Sequence, residues 1–289
     1  MKKLVFIVIS LLLSACAGAI PDSEKAPSAV IDPAVAALSD TIGNPDTVLY
    51  SAMLPPDRAR AAADDYNPNT GKWFEAENGL NLIASYSSGV VRAGTEAGAA
   101  IGQIPEGRSV RFQITRRDDA GKRLELIKEY TADVTNTVNG RVDFSHKMPE
   151  QPNVNYLLSV EVISAEGAVE DTLLSPLFVP PNELNARLTV EPPAKGAETA
   201  ELTLYNAGPN DLFLGYGYTM YRSEPAGWTL VPIEGAVPSI GIVIPPGESF
   251  HEKISLPSDL APGSYRIVKP FEGHMTEISV DLAADFEIR

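Results

Sequence analysis

Cys16 is the single cysteine of the 289-residue sequence, and it closes the run Leu13-Ser14-Ala15-Cys16. With no second cysteine there is no intrachain disulfide and no cysteine zinc cluster. His146, His251 and His274 are the three histidines. None lies at metal-ligand spacing from another or within a serine, cysteine or zinc motif. His251 and His274 share the C-terminal half and are the pair to test for convergence. Glu161, Glu166, Glu170 and Asp171 surround one expected hairpin. Two such carboxylates can serve glycoside hydrolysis, yet nothing marks one as acid and another as nucleophile, and exposed sheet edges carry such charges routinely. Asp64-Asp65-Tyr66-Asn67-Pro68-Asn69-Thr70-Gly71 alternates oxygen ligands like a calcium loop. Its glycine falls one place late, Pro68 interrupts, and no bidentate glutamate follows, so a polar turn is expected. No catalytic residue, metal or cofactor is expected, and the chain reads as a non-enzyme.

Tyr216, Tyr218, Tyr221 and Trp228 form the densest aromatic group. Sugars stack on flat exposed aromatics, which makes these four a candidate ligand face. Aromatics in a strand also fill the space between two sheets. The exposure of Tyr216 and Tyr218 separates the two readings.

The elements that must position these groups begin with an export signal. Lys2 and Lys3 precede Leu4–Leu13, which is apolar apart from Ser10. That run is too short for a bilayer core of ~30 Å, which takes ~20 helical residues, and reads as a cleaved signal over 1–15. The Leu-Ser-Ala-Cys ending resembles a bacterial lipoprotein lipobox. The resemblance implies a diacylglyceryl group on Cys16, which becomes the first mature residue. It also implies lipid-anchored residence on the extracytoplasmic face of the cell membrane or outer membrane. Ala17 in place of aspartate favours the outer membrane in a two-membrane cell. Two or more acyl chains hold a protein stably at a bilayer.

The formal net charge of the full sequence is −15, and removal of Lys2 and Lys3 makes the mature chain more acidic still. Such a chain repels phosphate backbones and lacks a basic stripe, which argues against nucleic acid as a partner. It also lacks a polybasic segment for anionic lipid. The membrane, through the lipid on Cys16, is then the first expected partner. An envelope protein or a glycan is the second.

Residues 16–72 read as the lipidated cysteine and an Ala/Pro-rich disordered tether, with Pro55-Pro56-Asp57 able to open a short helix through Ala63. From Trp73 the apolar pattern has period two. Val110, Phe112 and Ile114 alternate with polar residues, as do Val142 and Phe144, and Tyr156, Leu158, Val160 and Val162. Arg117–Lys122, Asn139-Gly140 and Ala165–Gly167 read as turns between them. A first β-sandwich is therefore expected over 73–181, ending at Pro180-Pro181, a pair that no central strand accepts.

The pattern repeats over 182–289. Leu202-Thr203-Leu204-Tyr205-Asn206, Gly215 with Tyr218, Trp228 with Val231-Pro232, Ile244-Pro245-Pro246-Gly247 and Pro262-Gly263-Ser264-Tyr265-Arg266-Ile267 together resemble a bacterial immunoglobulin-like domain. The resemblance implies a sandwich fold and a surface location but no reaction. In that family an acidic residue often follows the glycine matched by Gly215. Tyr216 stands there, so no role for that acid carries over. Leu212 to Arg222 reads as one long strand, Ile240, Ile242 and Ile244 as one face, and Tyr265 as a buried tyrosine bonded to a nearby carbonyl, as in a tyrosine corner. The fold class is all-β, two tandem immunoglobulin-like sandwiches after signal and tether. The expected role is non-catalytic: binding, adhesion or structure at the cell envelope. The alternative is a carbohydrate-binding or accessory subunit of an envelope enzyme or transport complex.

Overall fold

The computed structural model describes residues 33–75, 80–137, 140–233 and 235–289. The signal segment, Cys16, the tether up to residue 32 and Asn139 of one expected turn lie outside the described residues. Among the described residues no helix is long and apolar enough to cross a membrane.

Two β-sandwiches follow one another. In the first, one sheet orders the strands Gly89–Val90, Val169–Val179, Val154–Ile163, Ser109–Arg117 and Arg123–Asp133, and the facing sheet is built from Ile83–Tyr86, Glu96–Ile101 and Val142–Lys147. The alternation read from sequence places Val110, Phe112, Ile114, Leu158, Val160 and Val162 in the core between them, each fully buried. Phe144 of the facing sheet stacks on Phe112 with ring centroids 5.3 Å apart.

The second sandwich sets the strands Thr41–Ile42, Asn185–Glu191, Thr199–Gly208 and Ser249–Ser255 against a sheet centred on Gly263–Gly273. Ser279–Ile288 pairs with one edge of that central strand. Its other edge carries both Leu212–Leu214 and Thr219–Glu224. The long strand expected from Leu212 to Arg222 is thus broken at Gly215–Tyr218, where the Gly215 carbonyl leaves the ladder and accepts a bond from Lys269 Nζ at 2.7 Å. Ile244 is buried as expected, but Ile240 is 56% exposed and precedes the strand Ile242–Ile244 rather than sharing its face.

The stretch 33–72, read from sequence as part of a disordered tether, packs on both sandwiches. It starts as a 3-10 turn, Pro33–Ala37, with Val35 buried. It then adds the two-residue strand Thr41–Ile42 to the edge of the second sandwich, in register with Arg187 and Ala186. Leu49 N–H donates to the Ala207 carbonyl at 2.8 Å. The chain next crosses to the first sandwich, where Ala52 and Leu54 N–H donate to the side-chain oxygens of Asn153 and Asn155 at 2.8 and 3.1 Å. The helix Pro56–Ala61 follows, opened by proline in its first turn as expected. We call this segment the strap. Its contacts are main-chain bonds and isolated side chains, which carry no periodic apolar signal, and so its composition read as a tether.

The strap explains a second feature. Val154–Val162 is buried at every residue, on both faces of its strand. Of the outward residues, Asn155 bonds the strap, Leu157 lies beside it and Glu161 pairs with Arg111.

Candidate functional site

The four aromatics proposed as a ligand face do not form one surface. Trp228 lies in the strand Gly227–Val231 and Tyr221 in its neighbour Thr219–Glu224. Both pack with Val35 and Leu38 of the strap and with Val268 and Ala283 of the sheet beneath. The Arg266 guanidinium covers the Trp228 ring at 4.5 Å, donates to the Val35 carbonyl at 2.6 Å, and is held by Asp285 at 2.6 and 2.9 Å. The occupant of this half of the patch is the chain's own strap.

Tyr216 and Tyr218 lie in the broken segment and are half-buried. Tyr218 packs against the main core, and its hydroxyl accepts from Ser255 N–H at 3.0 Å. Burial pushes its phenol up. Tyr216 meets Phe250 edge to face, centroids 5.6 Å apart. Strand alternation fails here because the chain leaves the ladder at Gly215.

Beneath Phe250 sits Lys269, fully buried. Its ammonium donates to Glu252 Oε2 at 2.6 Å as well as to the Gly215 carbonyl, and burial pushes its pKa down against the opposing pull of Glu252. An amine beside a carboxylate is an acid–base pair in principle. Enclosed away from solvent, this one reaches no substrate and instead fixes where the broken strand leaves the sheet.

The carboxylates around the hairpin are each engaged. Glu161 pairs with Arg111 at 2.8 Å. Glu170 accepts from Arg108, Lys72 and the Trp73 indole N–H, and its carboxyl is held down to about 2, chiefly by the Arg108 and Lys72 bonds. Asp171 takes main-chain N–H groups from Thr70 of the strap, from Trp73 and Phe74 just after it, and from Thr172. Glu166 is exposed and held down by the Ser164 hydroxyl. A glycosidase acid needs a raised pKa, and the shifts on Glu166 and Glu170 run the other way.

The calcium-like run is likewise committed: Asp64 to Lys122 at 2.7 Å, and Asp65 to Arg117 at 2.6 and 3.1 Å. Asn69 Oδ1 caps Gly71 N–H at 2.7 Å, as in a polar turn. His251 bonds Thr203 in one sheet of the second sandwich, whereas His274 follows the central strand of the other, its N–H donating to the Asp211 carbonyl. The structure does not bring these two together.

Tyr265 is buried, and its hydroxyl donates to the Ala261 carbonyl at 2.7 Å, the tyrosine corner expected from sequence. It borders an open cleft of about 650 Å³ between the edge strand Gly227–Val231 and the loop 256–261, lined among others by Arg222, Glu224, Leu230 and Leu260.

Sequence reasoning missed the groups that seat the strap. Asn155, Asp171 and Asn185 are polar residues within or beside apolar strands, and that contrast was the available signal.

Residues 182–287 match the family model of a bacterial Ig-like domain. A comparison with curated proteins found no match. Similar solved structures include fibronectin(III)-like modules of Clostridium thermocellum CbhA, at 10% identity and a TM-score of 0.33, covering 72% of this chain and 93% of that one. Red sea bream transglutaminase is similar at 12% identity and a TM-score of 0.28, covering 72% of this chain and 31% of that one. A tetra-tandem repeat from the extending region of a large adhesion protein is similar at 13% identity and a TM-score of 0.27, covering 71% and 47%. This chain spans less than a third of the transglutaminase. No function carries over from these likenesses.

Proposed function

We propose that the chain is a lipid-anchored, extracytoplasmic protein of the cell envelope with a non-catalytic role: it binds an envelope protein or glycan, or holds such a partner at a set distance. The match of residues 182–287 to a bacterial Ig-like domain carries this reading. The lipobox-like run ending at Cys16 supports the anchor. Among the described residues, the groups that looked reactive in sequence are bound to internal partners, which favours binding or structure over chemistry.

The experiment expresses the full chain in a bacterium and the Cys16→Ala form beside it. Mass spectrometry of the N-terminal peptide should find Cys16 acylated, and the substituted form should leave the membrane fraction. An unmodified, soluble mature chain rejects the anchor. Mature chain solubilised in detergent then serves as bait for envelope extract and purified surface polysaccharides. The bait must keep the strap, because a chain starting at Trp73 uncovers Trp228 and Tyr221 and offers a false apolar surface. Saturable retention of one protein or glycan supports binding. Turnover of a retained glycan or peptide rejects the non-catalytic reading.

A further inference from the structure

The strap fixes the direction in which the chain approaches the rest of the molecule. Pro33–Ala37 lies against Trp228 and Arg266. Arg266 pairs with Tyr221, and Trp228 with Ser223, so both lie toward the Gly263 end of the central strand. The opposite, Gly273 end faces the first sandwich, where Arg92 meets Glu277 at 2.7 Å. From Pro33 the strap runs toward that junction. The Asp40 carbonyl accepts from Leu188, Thr41 and Ile42 pair with Arg187 and Ala186, and Asn44 N–H donates to Asn185, each step closer to the Pro180-Pro181 linker. On the first sandwich it continues outward, from Asn153 and Asn155 at the junction to Asp171, which pairs with Val162 near the remote end.

We infer that the chain mounts on its membrane in reverse of its sequence order: the C-terminal sandwich stands next to the lipid surface, and the first sandwich is displayed outward. This rests on acylation of Cys16 as proposed above. Sixteen residues, 17–32, separate Cys16 from Pro33. They reach at most about 55 Å when fully extended. The two 11-residue strands Gly263–Gly273 and Val169–Val179 each run about 35 Å. The hairpin at Glu166 therefore lies roughly 70 Å along the strap path from the hairpin at Ala226, the second sandwich's remote turn. The membrane-side partner is a neutral or anionic phospholipid surface contacted without a basic patch. Glu224 and Glu287 lie at that end of the sheet and Asp259 lines its cleft beside a single arginine, Arg222, so the lipid anchor supplies the attachment.

The test places a fluorescent donor on Ala226→Cys or Glu166→Cys, both exposed turn positions, in the full acylated chain. The acylated Cys16 sulfur does not react with the label. Each protein is reconstituted into phosphatidylcholine vesicles carrying an acceptor on the lipid headgroup. The donor at Ala226 should lose several-fold more emission than the donor at Glu166. Equal loss, or greater loss at Glu166, overturns the orientation. Flotation separates the premise. If the Cys16→Ala chain floats with vesicles as well as the parent, the anchor reading fails. If flotation needs Cys16 and the quenching order is reversed, the orientation alone fails. A Val35→Asp/Arg266→Ala chain frees the first leg of the strap, and the contrast between the two donors should shrink. An unchanged contrast would show that the strap does not set the order.

Discussion

Asp171 holds the far end of the strap with one oxygen and the residues that follow it with the other. Oδ1 accepts from Thr70 and Thr172 N–H at 2.7 and 2.9 Å, and Oδ2 from Trp73 and Phe74 at 2.7 and 3.3 Å. The carboxylate is fully buried, so each bond replaces water that cannot reach it. Asp171→Asn presents an NH2 group to two main-chain donors and removes the charge. We expect a loss of about 3 kcal/mol in urea unfolding, the cost of stranding buried donors beside a charged acceptor. Its neighbour Glu170 gives a pH signature. The Arg108 and Lys72 bonds hold its carboxyl at about 2, below the ordinary 4.5. A depressed carboxyl contributes stability that is complete above 4.5 and is lost as pH falls toward 2. Stability measured against pH should therefore fall less steeply over that window in Glu170→Gln than in the parent, and identical slopes would contradict the assignment.

At the scale of elements, the strap depends on one glycine where it passes the junction. Gly208 has φ of +79°, and a Cβ there would lie 1.9 Å from the Leu49 carbonyl oxygen. Gly208→Ala forces the backbone and the strap apart together, and we expect about 3 kcal/mol of destabilisation. Proteolysis near Met53 should rise with it, because the strap loses the bond from Leu49 to Ala207. The strands themselves were legible. Period-two alternation located Ser109–Arg117, Val142–Lys147 and Val154–Ile163, and proline and glycine marked the turns, because half-buried strands write their packing into the sequence. The tyrosine corner was legible for the same reason, although the turn lies at 258–259 and Gly263 already begins the strand that carries Tyr265 inward. The strap was not, since a segment bound through its own main chain leaves its side chains free to read as solvent. The long strand expected through Gly215 is broken there. Periodicity carried the strand straight through, whereas a lysine 54 positions away in sequence draws the carbonyl out of the ladder.

At the scale of the whole molecule, the strap is what makes two sandwiches behave as one. Among the described residues, the ion pair that ties them directly, Arg92 to Glu277, is solvent-exposed, and such pairs contribute about 0–1 kcal/mol. Asn210 Nδ2 donates to the Pro181 and Glu183 carbonyls, which fixes the linker more than the modules. The strap, by contrast, buries Val35 on one module and Leu54 and Ala63 on the other. It also threads main-chain bonds through both, so neither core can open without releasing it. The mature chain should unfold in a single calorimetric transition with equal calorimetric and van't Hoff enthalpies. A chain starting at Trp73 should show two transitions, since each module keeps its own core but shares nothing extended with the other. Two transitions in the intact chain would mean that the strap rides on the modules without coupling them. A coupled pair holds the remote loops of its two sandwiches in one fixed relation. That is the property a spacer or binding protein of the envelope needs, and a pair free to swing at Pro180-Pro181 would lack it.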